Sequence, residues 1–397
     1  MSNQKLESTR SGLTDRTPFP ISRTLLLEPS GFEPSNPSLS VVGTHNPGFL
    51  QYEKRRILAV RVDEVLTPSA KAIALKNYRA DSAVPYLRLP LQTIEAVPVV
   101  KPENYDPDED YLTVNPSFRS ADRDAPERLY LNYLAHIELL ELSSDDTRLS
   151  SIEKFLPSSA NDKYGCEDPR LALVDDTAVL SYNGIGGCGS TIHRCVLDDA
   201  KRLKSRELIL PPDHKHACIF KHGPRERYFM LARPLVRMHF QDSGVWLYSS
   251  PDCLNWQPVG SILNPRPRFW DGVRVGPGSP PILTSLGWLF FYYGVDKDRS
   301  YHVGAAILDA ENPSKVLFRS LEPIFSPSLD WECKGRRADV VFPSGVEVLK
   351  QLDAVNVYYG AADTFVGRAT FRLSDLICYL RKCKNVLHKQ GLPSLAM

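Results

Sequence analysis

The chain has 397 residues, room for two ordinary domains or for one large all-β or α/β-barrel unit, and either can bury a substantial core. Hydrophobic residues at 42% and charged residues at 24% are values of a globular protein. The 48 basic residues against 47 acidic ones leave no net field for nucleic acid or an anionic membrane, so neither partner is expected and any anion site must be local.

The N-terminus lacks the order of a signal peptide, and no run approaches the roughly 18 consecutive apolar residues of a membrane span, so a cytoplasmic enzyme is the expectation. Eight cysteines are scattered without C-x-x-C spacing, which predicts buried thiols and no metal site. Residues 1–40, rich in Ser, Thr, Pro and charge, read as an N-terminal tail or arm. The body opens at Val41. Residues 66–127 read as an irregular insertion, with a short helix expected in Ser69–Tyr78 and a solvated acidic loop at Asp106–Asp110.

Beyond the insertion come short β-rich runs: Leu129–Leu142, Ala178–Tyr182, Tyr228–Ala232, Val245–Ser249, Leu289–Tyr293, His302–Leu308, Val340–Phe342 and Val355–Tyr359. Their Gly, Pro, Asn and Asp punctuation predicts an all-β chain. Helix is convincing only in Leu373–His388, whose Leu373, Leu376, Ile377 and Leu380 share one face; residues 373–397 form a terminal helix and tail. Tail, insertion and helix are the candidate contacts of a homo-oligomer.

Weak repetition refines the class. Tyr292-Tyr293-Gly294 and Tyr358-Tyr359-Gly360 are each followed by a Val-Gly pair and then Leu and Asp, and Tyr182-Asn183-Gly184 is a degenerate third copy. Repeats of about 40 to 65 residues suggest propeller blades, and about five fit the length. The fold expected is a five-bladed β-propeller over 41–372 with an N-terminal extension, an insertion in the first blades and a C-terminal helix; a pair of β-sandwiches is the competitor. Gly165-Cys166-Glu167-Asp168-Pro169-Arg170 precedes an apolar run. Proline disfavours helix for Asp168, so this stretch either holds a carboxyl group rigidly or is an ordinary charged turn.

In order, these motifs resemble glycoside hydrolase family 130, the mannoside phosphorylases and β-mannosidases built on a five-bladed propeller. The stretches that carry the resemblance include His45-Asn46-Pro47-Gly48, Gly165–Arg170, Tyr182-Asn183-Gly184, Asp213-His214-Lys215, Ala232-Arg233-Pro234, Trp270-Asp271 leading to Gly276–Pro281, Val341–Gly345 and Tyr358–Thr364. They run from about residue 41 to 370, most of the chain. Departures occur too: the family pattern usually has Asp where His216 stands, Pro-Glu at Lys221-His222, and His at Tyr293, all near the second reactant.

Inverting cleavage of a glycosidic bond needs an acid for the leaving oxygen and a nucleophile on the opposite face; a hydrolase activates water with a second carboxylate about 6.5–9.5 Å away. A phosphorylase uses phosphate, which needs cationic donors instead. The resemblance implies that Asp168 is the acid, acting in phosphorylases through a sugar hydroxyl. The cationic candidates for phosphate are Arg61, Lys215, His216 and Arg233; the resemblance implies basic residues of the early strand, the lysine segment and the Arg-Pro segment, and His216 would donate when protonated. Asn46, Glu167, Arg170, Tyr182, Asn183, Trp270, Tyr293 and Asp363 would surround the sugar. Asp271 is the alternative carboxylate, as a water-activating base, a sugar ligand or a turn cap. The expected activity is an inverting phosphorylase that converts a terminal β-mannoside and inorganic phosphate to α-mannose 1-phosphate without metal or organic cofactor. The alternatives are an inverting β-mannosidase and a non-catalytic propeller that binds glycans or a protein.

Overall fold

In the described residues of a computed structural model (20–69, 86–89, 92–95, 133–143, 149–186, 188–222, 227–235 and 244–389), runs of Val, Ile, Leu, Tyr and Phe broken by polar turns form antiparallel strands almost throughout. In chain order they are β1 (Ser22–Leu27), β2 (Leu39–Tyr52), β3 (Arg55–Leu66), β4 (Tyr86–Leu89), β5 (Gln92–Glu95), β6 (Leu134–Leu142) and β7 (Leu149–Phe155). There follow β8 (Gly165–Val174), β9 (Thr177–Gly186), β10 (Gly189–Asp198), β11 (Arg202–Leu210), β12 (His214–His222), β13 (Arg227–Pro234), β14 (Val245–Ser250) and β15 (Gln257–Leu263). The last are β16 (Arg274–Pro277), β17 (Ile282–Thr284), β18 (Gly287–Val295), β19 (Tyr301–Leu308), β20 (Val316–Arg319), β21 (Val341–Leu349), β22 (Ala354–Ala361) and β23 (Phe365–Arg372).

Sequential strands pair in sets: β2-β3-β6-β7, β8-β9-β10-β11, β12-β13-β14-β15, β16 and β17 with β18-β19-β20, and β21-β22-β23-β1. A single parallel pairing, Ala135 with Gly165, joins the first two sets into one eight-stranded sheet. β1 comes from the stretch read as a tail or arm. It pairs antiparallel with β23 from Ser22 opposite Thr370 to Leu27 opposite Val366, so both ends of the chain share one sheet. Arg23 fastens it, donating to Glu332 at 2.7 Å and to Ser328 Oγ at 2.6 Å.

Apolar residues on the facing strands fill the space between sets. Leu289, Phe291, Val303, Ile307, Val341, Val357 and Phe371 form one cluster, and Ile57, Ile137, Leu139, Leu171 and Leu180 another. The terminal helix Leu373–Lys389 closes the first of these with Leu376, Tyr379, Leu380 and Cys383. Each fully buried leucine contributes about 1.5–3 kcal/mol. Ile377 of the expected face is only partly buried. Most of the 66–127 insertion lies outside the described residues, including the acidic run and all but Ser69 of the expected helix; β4 and β5 within it pair with each other. No helix among the described residues is long and apolar enough to cross a membrane.

Strands of neighbouring sets contact one another in turn: β2 meets β8, β8 meets β12, β12 meets β16, β18 beside β16 meets β21, and β21 meets β2. Three of them carry an irregularity at a residue with positive φ. Asn46 (φ 50°) interrupts the β2–β3 register, Asp168 (φ 50°) the β8–β9 register, and His216 (φ 61°) the β12–β13 register. A bulge re-aims a side chain that strand alternation would otherwise send elsewhere, and here three polar side chains converge. The conformation is uncommon for a residue with a Cβ and is held by hydrogen bonds. Asp168 thus sits on a bulge inside β8. Glycine is required beside Asn46: a Cβ on Gly360 of β22 would run into Asn46 Oδ1.

Candidate active site

The bulges meet at a narrow cavity of about 40 Å³ that is partly open to solvent. Asn46, Arg61, Asp168, His216 and Arg233 line it from the first three sets of strands, Arg274, Tyr293 and Tyr301 from the fourth, and Arg337, Val340, Phe342 and Asp363 from the chain around β21 and β22.

Asp168 is 1% exposed and both of its oxygens are saturated. Oδ1 accepts from Asn46 Nδ2 at 2.7 Å and Arg61 Nη1 at 3.2 Å; Oδ2 accepts from Asn183 Nδ2 at 2.9 Å and faces His216 Nε2 at 3.1 Å. Asn183 is itself oriented, because its Oδ1 takes the His216 backbone N–H at 2.8 Å. Burial alone would raise the Asp168 carboxyl, but Arg61, His216 and Arg170 outweigh it and hold the group well below the ordinary carboxylate range. The neighbouring Glu167 goes the other way: burial, with Asp168 and Asp63 nearby, raises it against Arg61 and Lys215. Adjacent carboxyls are therefore pushed in opposite directions, as acid–base sites require.

Arg61 is the hub of this corner. Its Nη2 lies 3.2 Å from Glu167 and its Nη1 3.2 Å from Asp168, while Asp63 takes its Nε at 2.7 Å. Asp63 also receives His45 Nε2 at 3.2 Å and Arg336 Nη1. Arg336 and Arg337 belong to one loop, whose backbone is tied to Thr364 Oγ1 at 2.8 Å and Ala362 O at 3.2 Å. Asp63 thus braces Arg61 and also anchors the loop that brings Arg337 to the cavity.

His216 lies against Tyr293, whose Oη is 3.3 Å from His216 Nδ1, and edge-on to Phe342. Two departures from the family pattern therefore touch. Burial, helped by Arg233 and Arg170 and opposed by Asp168, lowers the imidazole to about 3. That direction favours the neutral ring over the protonated donor expected for His216. Burial pushes the Tyr293 phenol up to about 12. Lys215 does not line the cavity: it lies behind it, 4.0 Å from Glu167, and burial lowers its ammonium to about 8 against the pull of Glu167 and Asp168.

Other expected site residues do structural work. Asp271 is absent from the lining and fully buried; Arg266 Nη2 at 2.6 Å, Arg319 Nη2 at 2.7 Å and Tyr292 Oη at 3.2 Å surround it. A carboxylate buried between two guanidiniums and away from the cavity wall does not reach a water or sugar there, so its reading as base or sugar ligand is corrected to an ionic anchor. Trp270 gives its Nε1–H to Leu321 O at 2.8 Å and stacks on Tyr292, away from the lining. Tyr182 donates to Asp162 at 2.8 Å within the core. Arg170 pins the bulge from beneath, donating to Asp168 O at 3.1 Å, Pro169 O at 3.0 Å and Gly278 O. Glu167 and Asn183 support Asp168 from behind, and neither lines the cavity. Asn46, Asp168, Tyr293, Asp363, Arg61, His216 and Arg233 are found on its wall.

Sequence reasoning missed Arg274, whose Nη1 donates to Tyr301 Oη at 3.0 Å, and Arg337, stacked on the Tyr301 ring at 4.7 Å. The run Lys334-Gly335-Arg336-Arg337 was a usable signal. Four guanidiniums therefore face one cavity with Asp168 and the 34% exposed Asp363. That arrangement suits a tetrahedral oxyanion: planar forks bind such oxygens in pairs. Among the described residues no three His, Cys, Asp or Glu side chains are grouped to hold a metal ion.

The sequence model of a family described as beta-1,4-mannooligosaccharide phosphorylase, glycoside hydrolase family 130, matches residues 97–382. A 1,2-beta-oligomannan phosphorylase of Thermoanaerobacter sp. (strain X514) is 33% identical over 256 residues, 63% of this chain and 83% of that protein. A beta-1,2-mannobiose phosphorylase of Listeria innocua is 29% identical over 355 residues, 89% of this chain and 95% of that protein. The solved structure of a beta-1,2-mannobiose phosphorylase from Listeria innocua with beta-1,2-mannobiose superposes with a TM-score of 0.72 at 26% identity, covering 90% of this chain and 97% of that one.

Proposed function

The chain belongs to glycoside hydrolase family 130, and we propose that it is an inverting mannoside phosphorylase, splitting a terminal β-mannoside with inorganic phosphate to give α-mannose 1-phosphate. The observation that carries this reading is the cavity wall, where Arg61, Arg233, Arg274 and Arg337 stand beside Asp168. Relatives named as phosphorylases of β-1,2- and β-1,4-linked mannosides support it, and the β-1,2 linkage is the first to test. The contacts between sets, with β1 of the expected tail completing the last one, support a five-bladed propeller that takes in Ser22–Leu27 as well as 41–372. The eight free cysteines are in keeping with a reducing, cytoplasmic setting.

In this reading the arginines bind hydrogen phosphate on one face of the sugar's C1 and Asp168 serves the leaving oxygen on the other, directly or through a sugar hydroxyl. Asn46 and Asp363 bind the mannose. Neither step calls for a metal or organic cofactor. A hydrolase on the same scaffold would need a second carboxylate, and Asp363 has replaced Asp271 as its candidate. Product analysis with β-1,2- and β-1,4-mannobiose, with and without phosphate, decides. Mannose 1-phosphate formed only with phosphate is the expected result; equal release of free mannose in both conditions would overturn it.

A further inference from the structure

Inverting phosphorolysis has a proton to move. Hydrogen phosphate loses its O–H proton as its oxygen bonds to C1, and the departing oxygen gains one as the glycosidic C–O bond breaks; the two oxygens lie on opposite faces of the ring. In the phosphorylase reading Asp168 serves the leaving side, and it starts without a proton: three N–H donors meet its oxygens and its carboxyl is held below the ordinary range.

Of its four partners, two amides and a guanidinium keep their N–H protons at any working pH. His216 alone exchanges one. Its imidazole is poised for transfer: Nε2 lies 3.1 Å from Asp168 Oδ2, Nδ1 lies 3.3 Å from Tyr293 Oη, and Tyr293 lines the arginine cavity where phosphate would bind. The ring is boxed in by Asp168, Arg170, Arg233, Tyr293 and Phe342. With the imidazole neutral and the phenol protonated, one ring nitrogen donates and the other accepts.

Resting on the phosphorylase reading, we infer that Tyr293 and His216 relay the proton of the attacking hydrogen phosphate to Asp168. Hydrogen phosphate gives its proton to Tyr293 Oη as that hydroxyl passes its own to His216 Nδ1. His216 passes its Nε2 proton to Asp168 Oδ2, and Asp168 delivers it to the leaving oxygen, which keeps the electron pair of the broken C–O bond. The phosphate oxygen supplies the pair for the new bond. The imidazole ends as the Nδ1–H tautomer and regains Nε2–H by exchange with water after product release. One proton leaves phosphate and one reaches the alcohol, with no other reactant.

The test compares His216→Gln and Tyr293→Phe with the unaltered protein on two substrates, each with saturating phosphate: β-1,2-mannobiose, or whichever mannobiose the enzyme prefers, and 2,4-dinitrophenyl β-mannoside, whose phenolate leaves without a proton. Glutamine can still hydrogen-bond to Asp168 and Tyr293 but cannot relay, and phenylalanine removes a single hydroxyl, which guards against a folding failure in the first variant. Losing the proton supply is expected to cost about 10²-fold or more in kcat on mannobiose and at least about tenfold less on the aryl substrate. Equal losses on both substrates, or no loss on mannobiose, would overturn the relay and leave His216 as packing. Phosphate-independent cleavage of mannobiose by the unaltered protein, read in a separate arm, would remove the phosphorylase reading and with it the proton's source.

Discussion

Replacing Asp63 by asparagine separates the frame of the site from its chemistry. Asp63 is 1% exposed and accepts Arg61 Nε at 2.7 Å, Arg61 Nη2 at 3.2 Å, His45 Nε2 at 3.2 Å and Arg336 Nη1. Asparagine offers one acceptor oxygen and turns an N–H₂ toward a guanidinium. Breaking a buried ion pair by removing one partner costs about 3–5 kcal/mol. The lower end applies, because Arg61 keeps Glu167 and Asp168 while Arg336, 29% exposed, can be hydrated. Asp63→Asn should therefore lose ~3 kcal/mol in urea unfolding at pH 7, and the KM for phosphate should rise about tenfold, the equivalent of ~1.4 kcal/mol, as Arg61 and the Arg337 loop lose their brace. Burial would raise the Asp63 carboxyl, but Arg61, Arg336 and His45 hold it far below its ordinary range. Its stabilisation is thus complete above an unfolded pKa of about 4 and fades as pH falls below that value, so the gap between the two proteins should narrow on acidification. A loss under about 1 kcal/mol at pH 7, or a gap unchanged down to about pH 3, would refute the assignment.

Asp168→Asn cannot carry a proton, and kcat on mannobiose should fall by about 10²–10⁴-fold; because it also turns an N–H₂ toward donors around a buried, paired carboxylate, stability in urea should fall with it. Arg274→Ala removes a cavity guanidinium and should raise the phosphate KM at least about tenfold while leaving the mannoside KM within a few-fold, as initial rates at varied phosphate would show. Lys215, lowered to about 8, loses its charge behind the arginine cluster as pH rises through that value, so kcat/KM for phosphate should fall along an alkaline limb that Lys215→Met abolishes. Leu380→Ala in the terminal helix opens a cavity far from the site and should cost about 2–5 kcal/mol of stability by denaturant titration without altering the phosphate KM.

The Glu-Asp-Pro-Arg stretch alone left an ordinary charged turn open; it was the family resemblance that singled out Asp168, which lies on the cavity wall. Its surroundings were not legible, for reasons visible in particular residues. Strand alternation decides which of two neighbours faces the cavity, and a bulge resets it, so Lys215 and His216 could not be sorted by counting. Asp271 stands beside a motif tryptophan, but of the two arginines that claim it only Arg266 is near in the chain; Arg319 lies 48 residues on, beyond β18 and β19. Arg337 reaches the wall through a loop tied to Asp63, 273 residues from Arg336. β1 was hidden for the same reason: its partner β23 lies at the other end of the chain. The β class and the terminal helix rest on short-range periodicity and were readable; the pairing of distant strands and charges was not.

The account turns on one claim, that the nucleophile held beside Asp168 is phosphate. Following the reaction of β-1,2-mannobiose by proton and phosphorus NMR at increasing phosphate concentration measures it directly. The predicted result is a rate that falls to zero without phosphate, saturates as phosphate rises, and yields α-mannose 1-phosphate as the first product. Free mannose from both sugar units, at a rate indifferent to phosphate, would contradict it.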